Sequence, residues 1–354
     1  MTDLDDRALY SAIDKSDMGG HIRGLPGQCL SAWQQALEFK LPSGYAAAEK
    51  VLVLGMGGSA IGGDLLRALL SDRKKPLVLV SREYELPAWV DRKTLVIAAS
   101  YSGNTEETLS AFAQALQIQC KKLVISTGGK ISSLANENKV PVFVVKHVSQ
   151  PRAALGYGLL PLLAITRNLG LSAVKPADVE GMANTLQRLC QEWDINVPAA
   201  NNPAKSLAMK LNGKVPVIYG AGILTDAARR WKTQINENSK SWAFFETFSE
   251  LNHNAVVGYR YPDSLKDKIF VALLRCAFLN QRTRLRYEIT SEILKQSNIP
   301  HQFIDFEGPD ALTQLMSAVL LGDWVSYYLA ILNSTDPTPV PEIDFLKNRL
   351  SSSK

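Results

Sequence analysis

The sequence predicts an α/β fold with two doubly wound parallel sheets in tandem, and three observations lead to this prediction. Short apolar strands alternate with helical patterns, as in parallel sheets that helices cover on both faces. A strand, a glycine turn and a helix follow one another twice, in KVLVLGMGGSAIGGD (50–64) and in KVPVIYGAGILTD (214–226). The length of 354 residues is too great for one small core and suits two domains.

The first domain is predicted over residues 46–170, after a helical lead-in at 1–45. Apolar runs place its strands in KVLVL (50–54), PLVLVS (76–81), TLVIAAS (94–100), KKLVIST (121–127) and VPVFVV (140–145). A connecting segment at 171–205, with a helix near 178–194, then leads to the second domain at 206–333.

The second domain repeats the alternation. After its glycine turn, the pattern predicts strands in KIFVALLRC (268–276) and HQFIDF (301–306), a helix near 287–296 and a long apolar helix over 310–333. The tail at 334–354 is expected to be extended and then to form one or two helical turns.

Composition limits the classes of function. The 39 basic and 34 acidic residues give a net charge of +5, which fits a small anionic substrate, and no Lys/Arg block suggests a nucleic-acid partner. The four cysteines are widely spaced and are expected to be reduced thiols. No apolar stretch is expected to reach the roughly 20 residues that a membrane span needs, and the acidic N-terminus lacks signal-segment features. We therefore expect a soluble, cytoplasmic protein.

The first glycine turn is a candidate anion site. Gly57, Gly58 and Ser59 open a helix, whose free N–H groups and positive dipole end favour a phosphate. Tight packing alone and dinucleotide binding are the alternatives. The dinucleotide alternative is the weaker one, because Ser81 and Arg82 precede Glu83 where a ribose-binding acid is expected.

A second polar loop, SYSGNTEET, follows the third predicted strand. It offers Ser100, Ser102, Gly103 and Thr105 just before a helix. Thr105 also suits an ordinary N-cap, but that interpretation leaves the other polar residues unexplained. Two hydroxyl-rich loops at the carboxyl ends of parallel strands predict a phosphomonoester site. No GKS or GKT triplet is present, which excludes a triphosphate P-loop.

The second glycine turn lacks these groups. Gly222 is followed by Ile223 and Leu224, which supply no hydroxyl. The sequence therefore predicts one anion site per chain.

The two loops resemble those of the SIS (sugar isomerase) domain. Together with PRAALGY, QINENSK and ELNHNAVVGY, in this order and over nearly the full chain, they resemble the bifunctional phosphoglucose/phosphomannose isomerase family. The resemblance implies two SIS subdomains, a homodimer, hexose 6-phosphate substrates, and catalysis without a metal or cofactor.

The resemblance also implies roles for single residues. Aldose–ketose isomerisation needs ring opening, a base for the C2 proton and a cation beside the enediolate. By the family pattern, Glu237 is the base, Arg152 is the cation, and His253 opens the ring from across the dimer interface. Lys347 matches the family's C-terminal lysine, and Thr338 is the candidate that makes room for both C2 epimers.

Each of these residues has a structural alternative. Glu237 could form a surface ion pair with Lys240, three residues later on a helix. Arg152 and Lys347 could be surface residues, and His253 could be a structural histidine. The nearby acids of the His253 passage are expected to lie on a helix face or to cap a helix, where they could orient the imidazole: Glu246 and Glu250.

Two other classes of function remain open. A SIS-type sugar-phosphate sensor would carry a DNA-reading helix-turn-helix, but the first 45 residues are too short and too acidic for one. An amino-sugar synthase would need an ammonia-supplying domain with an N-terminal cysteine, whereas this chain begins MTDLDD. An etherase acting on a muramic acid phosphate is excluded less firmly.

Overall fold

The computed structural model describes residues 2–72 and 74–352, which form two parallel sheets surrounded by helices. The strands are β1 Lys50–Leu54, β2 Leu77–Ser81, β3 Thr94–Ala99, β4 Lys121–Ser126, β5 Val142–Val144, β6 Val215–Gly220, β7 Phe244–Thr247, β8 Ile269–Cys276 and β9 His301–Phe306. The helices are α1 Ala8–Ile13, α2 Met18–Arg23, α3 Leu25–Leu37, α4 Gly57–Leu69, α5 Glu106–Leu116, α6 Gly129–Glu137, α7 Leu155–Asn168, α8 Pro176–Glu192, α9 Pro203–Leu211, α10 Thr225–Ser239, α11 Gln281–Gln296, α12 Ala311–Leu332 and α13 Pro341–Ser352.

The first sheet has the strand order β2-β1-β3-β4-β5, with every neighbouring pair parallel. Every residue of β3 is buried, because helices cover both faces of the sheet. The order reverses between β1 and β3, and their carboxyl ends carry the two polar loops. In an open α/β sheet this switch point is where ligands bind.

The second sheet has the order β7-β6-β8-β9 and is also parallel throughout. The predicted fold class, two parallel-sheet units in tandem, is therefore confirmed. Strand β7 was not predicted, and it contains Glu246, so the helical interpretation of this acid is wrong. The sequence signal was weak because β7 is a short edge strand with an exposed Phe244.

The long helix α12 lies in the main hydrophobic core, which also includes residues of the first unit. Its 22 residues are apolar enough to cross a membrane by length and composition, so the expectation that no stretch reaches this length is wrong. However, 94% of the most apolar window is buried inside the protein, as in the core helix of a soluble protein. An apolar helix buried on all sides needs no polar face.

Candidate functional site

The first polar loop begins where β1 ends. Gly57 opens α4 with φ +48°, a conformation that glycine adopts without strain. The hydroxyl of Ser59 accepts a hydrogen bond of 3.1 Å from the backbone N–H of Tyr101, which lies in the second loop. This bond ties the two loops together and leaves the Ser59 proton available to an anion.

The second loop has a similar geometry. Thr105 is the N-cap residue of α5, but its side chain makes no capping hydrogen bond. Its hydroxyl instead lies 3.1 Å from that of Ser100. Gly103 has φ +71° and lies so close to Gly128 that an added Cβ would be 1.8 Å from the Gly128 carbonyl oxygen. The Thr105 hydroxyl is therefore not used for capping, and the loop lies at the carboxyl end of β3, beside the switch point.

Gly58 brings the first loop against the backbone of Arg152. A Cβ at Gly58 would be 2.8 Å from the carbonyl carbon of Pro151 and 2.9 Å from the nitrogen of Arg152. Only glycine permits this approach without a backbone shift. The first polar loop and the backbone of Arg152 are consequently in direct contact.

Arg152 is only 3% exposed, and its guanidinium group joins three parts of the chain. Its Nε donates to Asn238 at 2.7 Å, and its Nη1 lies 3.4 Å from the Glu237 carboxylate. Its Nη2 donates to the carbonyl groups of Pro337 at 2.7 Å and Thr338 at 2.6 Å. Burial lowers the pKa of Arg152 from its ordinary value. The surface alternative for Arg152 is thus contradicted.

A buried polar network holds Arg152 in place. Asn238 is fully buried and donates to Ser326 of α12 at 3.0 Å while accepting from Arg152. Arg230 donates to the Arg152 carbonyl at 3.0 Å and forms an ion pair of 2.7 Å with Asp323 of α12. Because every member is bonded to another, the network fixes the position of the guanidinium.

Glu237 lies in the last turn of α10, and its side chain is 27% exposed. Solvent, and therefore a small ligand, can reach the carboxylate beside Arg152. Lys240 does not form the expected alternative ion pair with it. The Lys240 ammonium group instead donates to the backbone carbonyl of Glu237 at 2.8 Å.

His253 ends a 3₁₀ turn, Glu250–His253, and is exposed. The turn itself is well anchored: Leu251 is fully buried, and Asn252 donates to Thr290 at 2.8 Å. Glu250 accepts a hydrogen bond from Asn254 and so steadies the turn without touching the imidazole. Among the described residues, His253 does not contact Arg152, Glu237 or the polar loops.

Lys347 lies on α13, whose residues are all exposed. Apolar side chains are exposed beside it, with Phe345 at 69% and Leu346 at 57%. The structure therefore brings Arg152, Glu237 and the two polar loops into one crevice. It brings neither Lys347 nor His253 into that crevice within a single chain.

Known protein families match both units of the fold. The SIS domain family matches residues 44–166, and the bacterial phospho-glucose isomerase C-terminal SIS domain matches residues 200–350. The chain is 42% identical over 336 residues to a bifunctional phosphoglucose/phosphomannose isomerase of Caldicellulosiruptor bescii, covering 94% of this chain and 98% of the relative. The chain belongs to the bifunctional phosphoglucose/phosphomannose isomerase family. A further member, from Aquifex aeolicus, is 36% identical and covers 85% of this chain and 90% of its own.

Solved structures share the fold at low sequence identity. A hypothetical protein from Thermus thermophilus superposes with a TM-score of 0.71 at 17% identity, covering 98% of this chain and 94% of that one. The C-terminal domain of glucosamine-fructose-6-phosphate aminotransferase from Francisella tularensis gives a TM-score of 0.68 at 14% identity, covering 91% of this chain and 98% of that one. These likenesses establish the SIS architecture of this family member.

Sequence reasoning missed two polar residues of the crevice. Asn238 follows Glu237 directly in QINENSK, and an asparagine inside a predicted helix next to a candidate base is a signal that could have been used. Lys240 was considered only as a partner for the Glu237 carboxylate. Its contact with a backbone carbonyl depends on how α10 ends, which residue spacing does not reveal.

Proposed function

We propose that this protein is an aldose–ketose isomerase that interconverts glucose 6-phosphate, mannose 6-phosphate, or both, with fructose 6-phosphate, without a cofactor. The observation that carries the proposal is the position of Arg152. Its backbone packs against the anion loop at Gly58, and its guanidinium lies 3.4 Å from the Glu237 carboxylate. A phosphate, a cation and a carboxylate base thus fall within the length of one hexose phosphate.

The phosphate would be held by the two polar loops. Backbone N–H groups at the start of α4 and the hydroxyls of Ser59, Ser100, Ser102 and Thr105 supply donors at the positive end of a helix. Gly57, Gly58 and Gly103 let the backbone approach the anion. Anchoring the phosphate positions C1 and C2 of the open-chain sugar for proton transfer.

Glu237 would then act as the base. It removes the proton from C2 of the aldose and returns it to C1, while a proton passes from O2 to O1, which gives the ketose. The Arg152 guanidinium, which is itself buried, stabilises the negative charge of the enediolate. Glucose and mannose phosphates differ only at C2, so both give the same enediolate.

Thr338 is the candidate for tolerance of both epimers. Arg152 fixes its carbonyl at 2.6 Å, and its buried hydroxyl oxygen has no hydrogen-bond partner among the described residues. Because this oxygen is closed to solvent, we propose that Thr338 acts through its small size, which leaves room beside Arg152 for either configuration at C2.

His253 would open the sugar ring in the site of a second copy of the chain. It stands exposed on a rigidly held turn, and large apolar side chains are exposed around the same passage, including Trp242 at 77%, Val257 at 77% and Tyr261 at 78%. A homodimer would bury these side chains and carry the imidazole to the partner's crevice. Lys347 would reach a site in the same way if α13 packs against the partner.

The direct test is turnover by purified, EDTA-treated protein given glucose 6-phosphate, mannose 6-phosphate and, in reverse, fructose 6-phosphate. We expect turnover of at least one aldose without added metal. Binding of fructose 6-phosphate in calorimetry without any turnover would instead favour a sugar-phosphate sensor. Because hexose phosphates are charged and do not cross membranes unaided, the proposed activity belongs in the cytoplasm.

Glucosamine 6-phosphate belongs in the same assay. A D-glucosamine-6-phosphate 4-epimerase of Sulfolobus acidocaldarius is 32% identical to this chain over 229 residues, covering 64% of this chain and 69% of its own. Epimerisation of glucosamine 6-phosphate, with no conversion of glucose, mannose or fructose 6-phosphate, would contradict the proposed isomerase.

A further inference from the structure

The helix that carries Glu237 ends in a residue with an unusual backbone conformation. Lys240, the C-cap of α10, has φ +52° and ψ +32°, in the left-handed region where glycine or asparagine is favoured. A side chain with a Cβ costs about 1–2 kcal/mol in this conformation. The contacts of the lysine side chain should therefore explain why a lysine stands at this position.

The ammonium group of Lys240 connects α10 to the segment that follows α12. Its Nζ donates to the carbonyl of Glu237 at 2.8 Å and lies 3.4 Å from the carbonyl of Asn238. It also donates to the carbonyl of Pro337 at 3.2 Å, the same carbonyl that binds Arg152 at 2.7 Å. Two cations therefore hold one carbonyl group, and both also bind the last turn of α10: Arg152 binds its side chains and Lys240 its carbonyl groups.

We propose that Lys240 is a positioning residue of the isomerase site. It fixes the last turn of α10, and with it the Glu237 carboxylate, against the segment that carries Thr338. The carbonyl groups at a helix end lack intrahelical partners and attract a cation, so the contact is directional and partly offsets the burial of the amine beside Arg152. This inference rests on the proposed isomerase function.

The charges around Lys240 make the contact sensitive to pH. The charged groups that face its ammonium group are Arg152, Glu237, Asp336 and Glu342. Although the residue as a whole is exposed, its amine lies against Pro337, and burial of the amine together with the nearby Arg152 lowers the pKa of Lys240 to about 8. The Lys240 amine is charged below this pH, and its charged contact with the carbonyl groups is lost as the pH rises through it.

The experiment compares Lys240→Gly, Lys240→Met and Lys240→Arg with the wild type, using fructose 6-phosphate turnover and thermal unfolding. Glycine suits the left-handed conformation, so Lys240→Gly should unfold at or above the wild-type Tm. Its kcat should nevertheless fall about tenfold or more, because the base is no longer held in register. KM should change little, since the phosphate loops are untouched. Lys240→Met, which keeps the backbone constraint, should show the same loss of kcat.

Lys240→Arg supplies a readout that a purely structural role would not move. Arginine stays charged at all relevant pH values, so this variant should keep most of the kcat and lack the wild-type decline in kcat near pH 8. Lys232→Met, a change on the same helix, is the control and should match the wild type.

Two results would overturn the inference. A kcat within twofold of the wild type in both Lys240→Gly and Lys240→Met would contradict the role of Lys240 while leaving the isomerase proposal intact. Absence of turnover in the wild-type protein would contradict the proposed function, and the role of Lys240 with it.

Discussion

The two glycine turns of this molecule begin alike, but the crevices beside them differ. In the first unit the crevice is lined by Ser59 and by the hydroxyl groups of the second loop. In the second unit the corresponding crevice is filled: Leu224 is fully buried, and Leu279 packs 3.6 Å from where a Cβ at Gly222 would lie. The second turn keeps the fold of the first without the hydroxyl groups that are proposed to bind an anion there.

The second unit contributes a different part of the site. Its helix α10 starts at the filled turn, and its last turn carries Glu237 beside Arg152 of the first unit. In the proposed mechanism the first unit thus offers the phosphate loops and the cation, and the second offers the base. The two units therefore share a fold but not a chemistry. In the second unit apolar side chains fill the turn, and the other end of its helix carries the candidate base.

The largest effect is expected where the second unit meets the substrate. Glu237→Gln removes the proposed base and keeps the shape of the side chain, so kcat should fall by about 10³-fold. Binding of fructose 6-phosphate, measured by calorimetry, should change little because the first unit holds the phosphate. Glu292→Gln, on the exposed side of α11, is a control. Near-normal turnover by Glu237→Gln would end the assignment of the base to the second unit.

The next largest effect is expected for His253, which does not contact Arg152 or Glu237 within its own chain. His253→Ala should lower kcat by about 10²-fold on closed-ring aldose phosphates and far less on an open-chain analogue, because only ring opening needs the imidazole. An equal loss on both substrates would indicate a structural role for His253 instead.

Mixing two inactive variants tests whether His253 acts across a dimer interface. If it does, a heterodimer of His253→Ala with Glu237→Gln contains one site with both groups intact, and activity should return after the subunits are exchanged. Each single variant, treated in the same way, is the control. If His253 acts within its own chain, every site of the mixture lacks one group and no activity returns.

A smaller effect is expected from the lining of the first crevice. Ser102→Ala combined with Thr105→Ala removes two of the hydroxyls proposed to bind the phosphate, and a typical hydrogen bond contributes about 0.5–1.5 kcal/mol. KM for hexose phosphates should rise at least tenfold while kcat changes little. Ser132→Ala combined with Ser133→Ala, on α6, is the matched control. An unchanged KM would show that the phosphate binds elsewhere.

Features that depend on neighbouring residues could be predicted from the sequence, whereas contacts between distant residues could not. The alternation of strands and helices and the polar loops are local patterns, so the fold class was predicted and the loop residues could be proposed. Strand β7 was missed because a four-residue edge strand carries little periodicity. Helix α11 begins at Gln281, earlier than predicted, because the cap at Asn280 rather than hydrophobic spacing sets its start.

The contacts around Arg152 could not be predicted in this way. Its partners Asn238 and Pro337 are distant in sequence, and their meeting depends on how α12 packs against α10. Thr105 is a second example. Its position in the sequence suits an N-cap, but in the folded structure its hydroxyl lies beside that of Ser100 instead. Motif order pointed to the residues, whereas tertiary packing determines which of them touch.

The comparison between the crevices can be tested with one methyl group in each. Gly58→Ala forces the first loop away from Arg152, since the new Cβ would be 2.8 Å from the Pro151 backbone, so kcat/KM should fall about tenfold. Gly222→Ala meets nothing closer than the Leu279 side chain at 3.6 Å, but its φ of +54° disfavours alanine by about 1 kcal/mol. That variant should therefore lose a few degrees of Tm and keep its kcat/KM. Kinetics and thermal unfolding on both proteins decide the matter: a loss of activity from Gly222→Ala equal to that from Gly58→Ala would mean that the second crevice also serves the reaction, and the division of roles between the units would be wrong.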